Sequence, residues 1–171
     1  MIDAAGNWFS PAGDDDVDRS DQTQALNEQM AAADAFVTGR VTFEEMRSFW
    51  PAQTDDETGV SHYLNRVAKY VVSSTLTDPG WENSTVLSGS VVDEVRGLKE
   101  QAGGDIVVTG SIQLVHTLVR AGLVDEYRLF VYPVVLGRGA RLFESATEVG
   151  VSLARAQSFR SGVVLLVYRT G

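Results

Sequence analysis

The sequence predicts an α/β domain with a largely parallel sheet and an antiparallel C-terminal edge. Two patterns carry this reading. Up to about residue 125, short apolar runs alternate with segments of helical period, and beyond it strand-like segments dominate. A third observation bounds the size: 171 residues suit one compact domain. A chain near this length buries roughly 70% of its unfolded surface and needs no staples.

Residues 1–21 show no periodicity and carry Trp8, Phe9 and the run Asp14-Asp15-Asp16. Leu26, Met30 and Ala33 recur at helical spacing, which predicts a helix over 19–34. Residues 35–38 form a short buried strand, broken by Gly39-Arg40. A helix follows from Thr42, with Phe43, Met46 and Trp50 on one face, and Pro51 ends it. After an acidic loop come a short helix over 61–67 and a strand over 69–73. Asp78-Pro79-Gly80 is a turn, and 85–87 is a strand. Val91, Val95 and Leu98 define a helix closed by Gly103-Gly104. Residues 106–108 form a strand that Gly110-Ser111 turns into a helix stopped by Gly122. Residues 127–135 are strand-like, and 149–159 with 163–169 read as a hairpin about Ser161-Gly162.

Composition excludes several chemistries. The chain has no cysteine, so disulfides, thiolate nucleophiles and Cys-ligated metals are ruled out. That suits a cytoplasmic protein. No apolar run is long enough for a membrane span. A net charge of −9 argues against nucleic acid as a partner. No metal site is expected. His62 and His116 are far apart, and the alternation Asp14, Asp16, Asp18 fails as a calcium loop because Arg19 and Ala25 stand where glycine and glutamate are needed. Thr109-Gly110-Ser111-Ile112-Gln113 lies where a nucleophile elbow would, but Gln113 replaces the second glycine. Ser111 reads instead as a helix N-cap.

A glycine after a strand, followed by a helix start, is an anion site. Two turns fit. One is Val37-Thr38-Gly39-Arg40-Val41-Thr42, which adds a guanidinium suited to phosphate. The other is Thr109-Gly110-Ser111-Ile112, where a glycine without Cβ lets phosphate approach the backbone. A third strand end, Ser73-Ser74, offers two hydroxyls. Together they fit a dinucleotide such as NADPH. For each turn a capped helix in a crowded bend is the competing explanation. No Gly-x-Gly-x-x-Gly fingerprint supports a Rossmann site.

The segments Thr38-Gly39-Arg40-Val41-Thr42-Phe43-Glu44, Lys69-Tyr70-Val71-Val72-Ser73 and the run from Gly104 to Phe143 carry a resemblance. The chain resembles the dihydrofolate reductase-like family, which includes the reductase domain of the riboflavin-biosynthesis deaminase-reductase. The resemblance extends from about Gly6 to Arg169, so residues 1–171 read as one such domain. It implies a three-layer α/β/α fold around one mixed, mostly parallel sheet, and NADPH as hydride donor to a small heterocyclic C=N or C=O substrate. Carried over, Gly39, Arg40, Thr42, Ser73, Ser74, Thr109, Gly110, Ser111 and Ile112 surround the cofactor. Members begin with a strand and a Ser-x-Asp-Gly motif, whereas this chain opens with Asp3-Ala4-Ala5-Gly6. The first strand is thus absent or upstream of Met1, which would expose two strand edges. Ala5 stands where the aspartate is expected, so no catalytic proton donor is assigned. Trp8, Trp50 and Tyr132 are candidates for a substrate wall or, equally, core aromatics. The resemblance also implies a homodimer, which the apolar run Val163-Val164-Leu165-Leu166-Val167 favours. The alternatives are a non-catalytic nucleotide-binding protein on the same fold and a deazaflavin-dependent reductase.

Overall fold

The run Ala35-Phe36-Val37-Thr38-Gly39 is buried at every position, and it forms an inner strand of a parallel sheet. In the computed structural model, which describes residues 17–143 and 148–171, this strand is β1 (Ala33–Gly39). It pairs in parallel with β2 (Ala68–Val72) on one side and β4 (Asp105–Val108) on the other. Strand β3 (Ser84–Leu87) pairs with β2, giving the order β3-β2-β1-β4. A strand covered on both faces reads as a continuous apolar run, as β1 does.

Among the described residues five helices accompany the strands: α1 (Ser20–Ala32), α2 (Arg40–Phe49), α3 (Val60–Arg66), α4 (Val91–Lys99) and α5 (Ile112–Arg120). Pro51 ends α2 in a single 3-10 turn, Trp50–Ala52. Helix α2 begins at Arg40, two residues before the expected start. Gly39 is still extended (φ −81°, ψ 157°), so it serves directly as the N-cap and the helix follows without a loop.

The remaining strands form a second, antiparallel sheet: β5 (Glu126–Val131), β6 (Val151–Ser158) and β7 (Val164–Thr170), in the order β5-β7-β6. The β6–β7 hairpin closes through Phe159 N–H to Val163 O (2.8 Å) and Gly162 N–H to Phe159 O (2.9 Å), with Gly162 at φ +80°. Its turn is tied to the start of α1. Arg160 N–H donates to Asp21 Oδ2 (3.1 Å), the Arg160 guanidinium pairs with Asp18, and Ser161 Oγ donates to Gln22 Oε1 (2.9 Å). Leu165 and Val167 of β7 pack with Ala25, Phe159 and Val163 into a core. Strand β5 stops at Val131 rather than continuing to 135, because Pro133 has no N–H for a ladder.

The class is the expected one, helices with parallel and antiparallel strands. Among the described residues the parallel strands and the antiparallel strands pair as a four-stranded and a three-stranded sheet. Among the described strands, β4 ends the parallel sheet and β5 ends the antiparallel one. The chain divides correspondingly into two compact units, Leu26–Leu123 and, among the described residues, 17–25 with 124–171.

One buried charge stands out in the first unit. Lys69 of β2 is 1% exposed. Its Nζ donates to Leu64 O (2.7 Å) and Val67 O (3.1 Å) at the C-terminal end of α3, where the helix dipole favours a cation. The ammonium also lies 4.8 Å from the centre of the Trp81 ring. Burial pulls its pKa down from 10.5 to about 8, against the opposing pull of Glu82. Between these values the unfolded chain holds the proton and the folded chain releases it, so stability rises with pH across that interval. Burial pushes Tyr63 and Tyr127 upward, so their opposite effect begins only above the usual tyrosine range, near pH 10. Urea unfolding from pH 8 to 10 should therefore show the parent gaining stability and Lys69→Met losing that gain. An identical pH dependence in both would remove Lys69 as its source.

Candidate functional site

Strands β2, β1 and β4 are parallel neighbours, so their carboxyl ends emerge along one edge. Gly39 is in register with Val72, and Val37 with Val108. The turn after β1 therefore lies between Ser73-Ser74 on one side and Thr109-Gly110-Ser111 on the other. From β1 the chain winds outward to β2 and β3, then returns to place β4 on the opposite side of β1. Open parallel sheets bind ligands at the carboxyl edge where the winding direction reverses, here between β1 and β4.

Two residues fix this spot. A Cβ on Gly39 would lie 2.8 Å from Ser111 Cβ and 3.0 Å from Ser111 Oγ. The φ of −81° at Gly39 suits any residue, so close approach of the two turns is what demands glycine there. Gly110 has φ +72°, a left-handed geometry that favours glycine for the backbone's sake. Glycine at that position thus has a local cause besides the expected approach of phosphate.

The helix starts differ in how their free N–H groups are satisfied. At α1, Asp18 accepts from Ser20 N–H (2.9 Å), and hydrogen bonds from Ser20, with Arg160 adding, hold the Asp18 pKa down at about 2. At α3, Asp56 Oδ2 accepts from Ser61 N–H (2.7 Å). At α4, Ser90 accepts from Asp93 N–H (3.5 Å), Glu94 accepts from Gly89 N–H (3.2 Å), and two acids occupy the first turn. Helices α2 and α5 have neither a side-chain cap nor an acid in the first turn. Ser111 occupies the expected N-cap position but makes no capping bond. The two uncapped starts are the two that meet at Gly39 and Ser111. Each offers bare N–H groups and the positive end of a helix dipole.

The other expected residues fall as follows. Arg40 is the first residue of α2, and its Nη1 donates to Glu44 Oε2 (2.7 Å). Thr42 lies in the same first turn. Ile112 is the first residue of α5, and Thr109 is exposed just after β4. Ser73 Oγ accepts from Thr75 N–H (3.1 Å) and Leu76 N–H (2.9 Å), so it shapes its own loop; Ser74 is exposed beside it. Trp50 is half-buried and edge-on to Phe49, with ring centres 5.1 Å apart. Tyr132 belongs to the second unit, where it packs on the Ala25–Phe159 core and its hydroxyl accepts from Gln22 Nε2 (3.3 Å). Trp8 and Ala5 lie outside the described residues. Sequence reading missed Glu44 as the partner of Arg40, although the i, i+4 spacing on a helix was available to find it.

The packing of the two turns is testable. Gly39→Ala places a methyl inside contact distance of Ser111 and should cost about 1–3 kcal/mol. Adding Ser111→Gly removes both clashing atoms and should recover most of that loss in thermal or urea unfolding. A neutral Gly39→Ala would mean that the two turns are not held against each other.

The family model described as the RibD C-terminal domain matches residues 3–165. The uncharacterised protein YyaP of Bacillus subtilis is 32% identical over 139 residues, 79% of this chain and 73% of YyaP. A solved protein from Shewanella sp. PV-4, proposed for riboflavin biosynthesis, has a TM-score of 0.73 at 20% identity, covering 99% of this chain and 90% of that one. Dihydrofolate reductase from Enterococcus faecalis, solved with NADP(H), has a TM-score of 0.59 at 14% identity, covering 88% and 82%. These two likenesses give the fold, which is dihydrofolate reductase-like. With its family match and its relative, the chain belongs to the RibD C-terminal domain family.

Proposed function

We propose that residues 1–171 form one reductase domain that uses NADPH to reduce a small heterocyclic C=N or C=O substrate. The observation that carries this reading is the pair of uncapped helix starts side by side between β1 and β4, with Arg40 opening one of them. The residues fit a dinucleotide phosphate. N–H groups at the start of α5, beyond Gly110 and Ser111, would hold the pyrophosphate. The Arg40 fork would hold the extra phosphate that distinguishes NADPH from NADH. Thr42, Ser74 and Thr109 supply hydroxyls nearby. Bound NADPH supplies the hydride, and the chain's part is to bind and orient it. The enterococcal likeness, solved with NADP(H), supports this choice of cofactor.

Charge-assisted bonds contribute on the order of 1.5–3 kcal/mol each. Arg40→Ala should therefore weaken NADPH by about ten-fold or more and leave NADH nearly unchanged in calorimetry. Equal weakening of both would make Arg40 structural. Absorbance of bound NADPH, followed with a panel of pterins, quinones and imines, should show oxidation by at least one class. Tight binding with no turnover would instead identify a nucleotide-binding protein on this fold.

The reading also takes the protein as a cytoplasmic homodimer. Support comes from the antiparallel sheet. Val131, Leu153 and Val151 lie opposite Val164, Tyr168 and Thr170 of β7, so all three share one face. They are 48%, 56% and 44% exposed, a large apolar area for a free surface. Light scattering at micromolar concentration should give a dimer, and Leu153→Glu a monomer. A monomeric parent would contradict this part of the reading.

A further inference from the structure

Arg40 stands where a cation is least favoured. It is the first residue of α2, at the positive end of the helix dipole, beside N–H groups that no side chain caps. Its guanidinium turns back along the helix to Glu44, one turn on, with Nη1 2.7 Å from Oε2. The order is the less favourable one for an i, i+4 pair, with the cation N-terminal to the anion. Both side chains remain partly in water, 42% and 35% exposed, so the pair itself adds little stability and opens readily. Helix α2 has no acid in its first turn, which makes Glu44 the carboxylate that a phosphate approaching Arg40 must displace.

We infer that Glu44 is a specificity-setting residue: it holds the Arg40 guanidinium in the free protein and competes with the 2′-phosphate of the dinucleotide for it. This rests on the proposed NADPH site. Two consequences follow from the charges. A ligand without the extra phosphate does not ask Arg40 to leave Glu44, so NADH binding is insensitive to Glu44. A ligand with that phosphate must break the pair and sit near the remaining carboxylate, so Glu44 lowers its affinity. The carboxylate thereby narrows the preference that Arg40 creates and keeps the basic helix start neutral when no ligand is bound.

The test uses adenosine 2′,5′-bisphosphate and 5′-AMP as tail probes, together with NADPH and NADH, in calorimetry on the full chain. Glu44→Gln keeps size and hydrogen-bonding capacity but removes the charge. It should tighten the bisphosphate and NADPH by about three- to ten-fold, with the 5′-AMP and NADH constants unchanged. In an Arg40→Ala background the same substitution should give no gain. Unfolding midpoints of the variants separate any loss of folding from loss of binding. Weaker NADPH binding by Glu44→Gln would mean that Glu44 positions Arg40 productively, overturning the inference. A gain that persists without Arg40 would assign the effect to the general field, also overturning it. If the parent binds NADPH and Arg40→Ala changes nothing, the NADPH site itself is misplaced, and this inference falls with it.

Discussion

The near-contact of Gly39 with Ser111 is the constraint on which the rest of the site depends. Two parallel strands sit side by side only if the turns that leave them can pass each other. Here there is no room for a methyl group between them. The glycine lets β1 enter α2 without a loop and brings the start of α5 alongside. Two helix dipoles of like orientation are thus set close together with no acid on either. Such an arrangement is electrostatically costly in the absence of an anion. The other three helices, each with an acid at its start, show that the chain has the means to relieve that cost and does not use it here.

The alternation of helix and strand was legible because β1 and α5 follow clean periods with glycine at their ends. The turns of the candidate site were legible as turns because strand–glycine–helix is a local pattern. What the pattern could not show was why each glycine is there. Gly39 answers to a residue seventy-two positions away, and only the tertiary fold discloses that neighbour. Gly110 answers to its own backbone angle. The expected cap at Ser111 failed for a similar reason, since a serine at the right position need not turn its hydroxyl toward the helix. Pairing across the whole sheet was the least legible feature. A strand's apolar run says that it is covered, but not which neighbour supplies its hydrogen bonds.

Two cations, Lys69 and Arg40, stand in opposite surroundings. Lys69 is buried and satisfied by carbonyls at the end of α3 and by an indole face. There the hydrogen bonds join β2 to the end of α3, while burial penalises the charge. Arg40 is half-exposed at the wrong end of a helix and leans on a single carboxylate. A half-exposed pair of this kind adds little stability. Under the proposed function its placement answers to a ligand that carries more negative charge than Glu44 does.

In the proposed site the paired, uncapped starts of α2 and α5 together hold one dinucleotide. Amide-resolved NMR during titration with NADPH tests this. The N–H signals of Arg40, Val41, Thr42, Ile112 and Gln113 should shift in step with one binding constant. Val91, Val92 and Asp93, at the acid-capped start of α4, should stay in place. Saturable shifts confined to other segments, or no saturable shift at all, would contradict it.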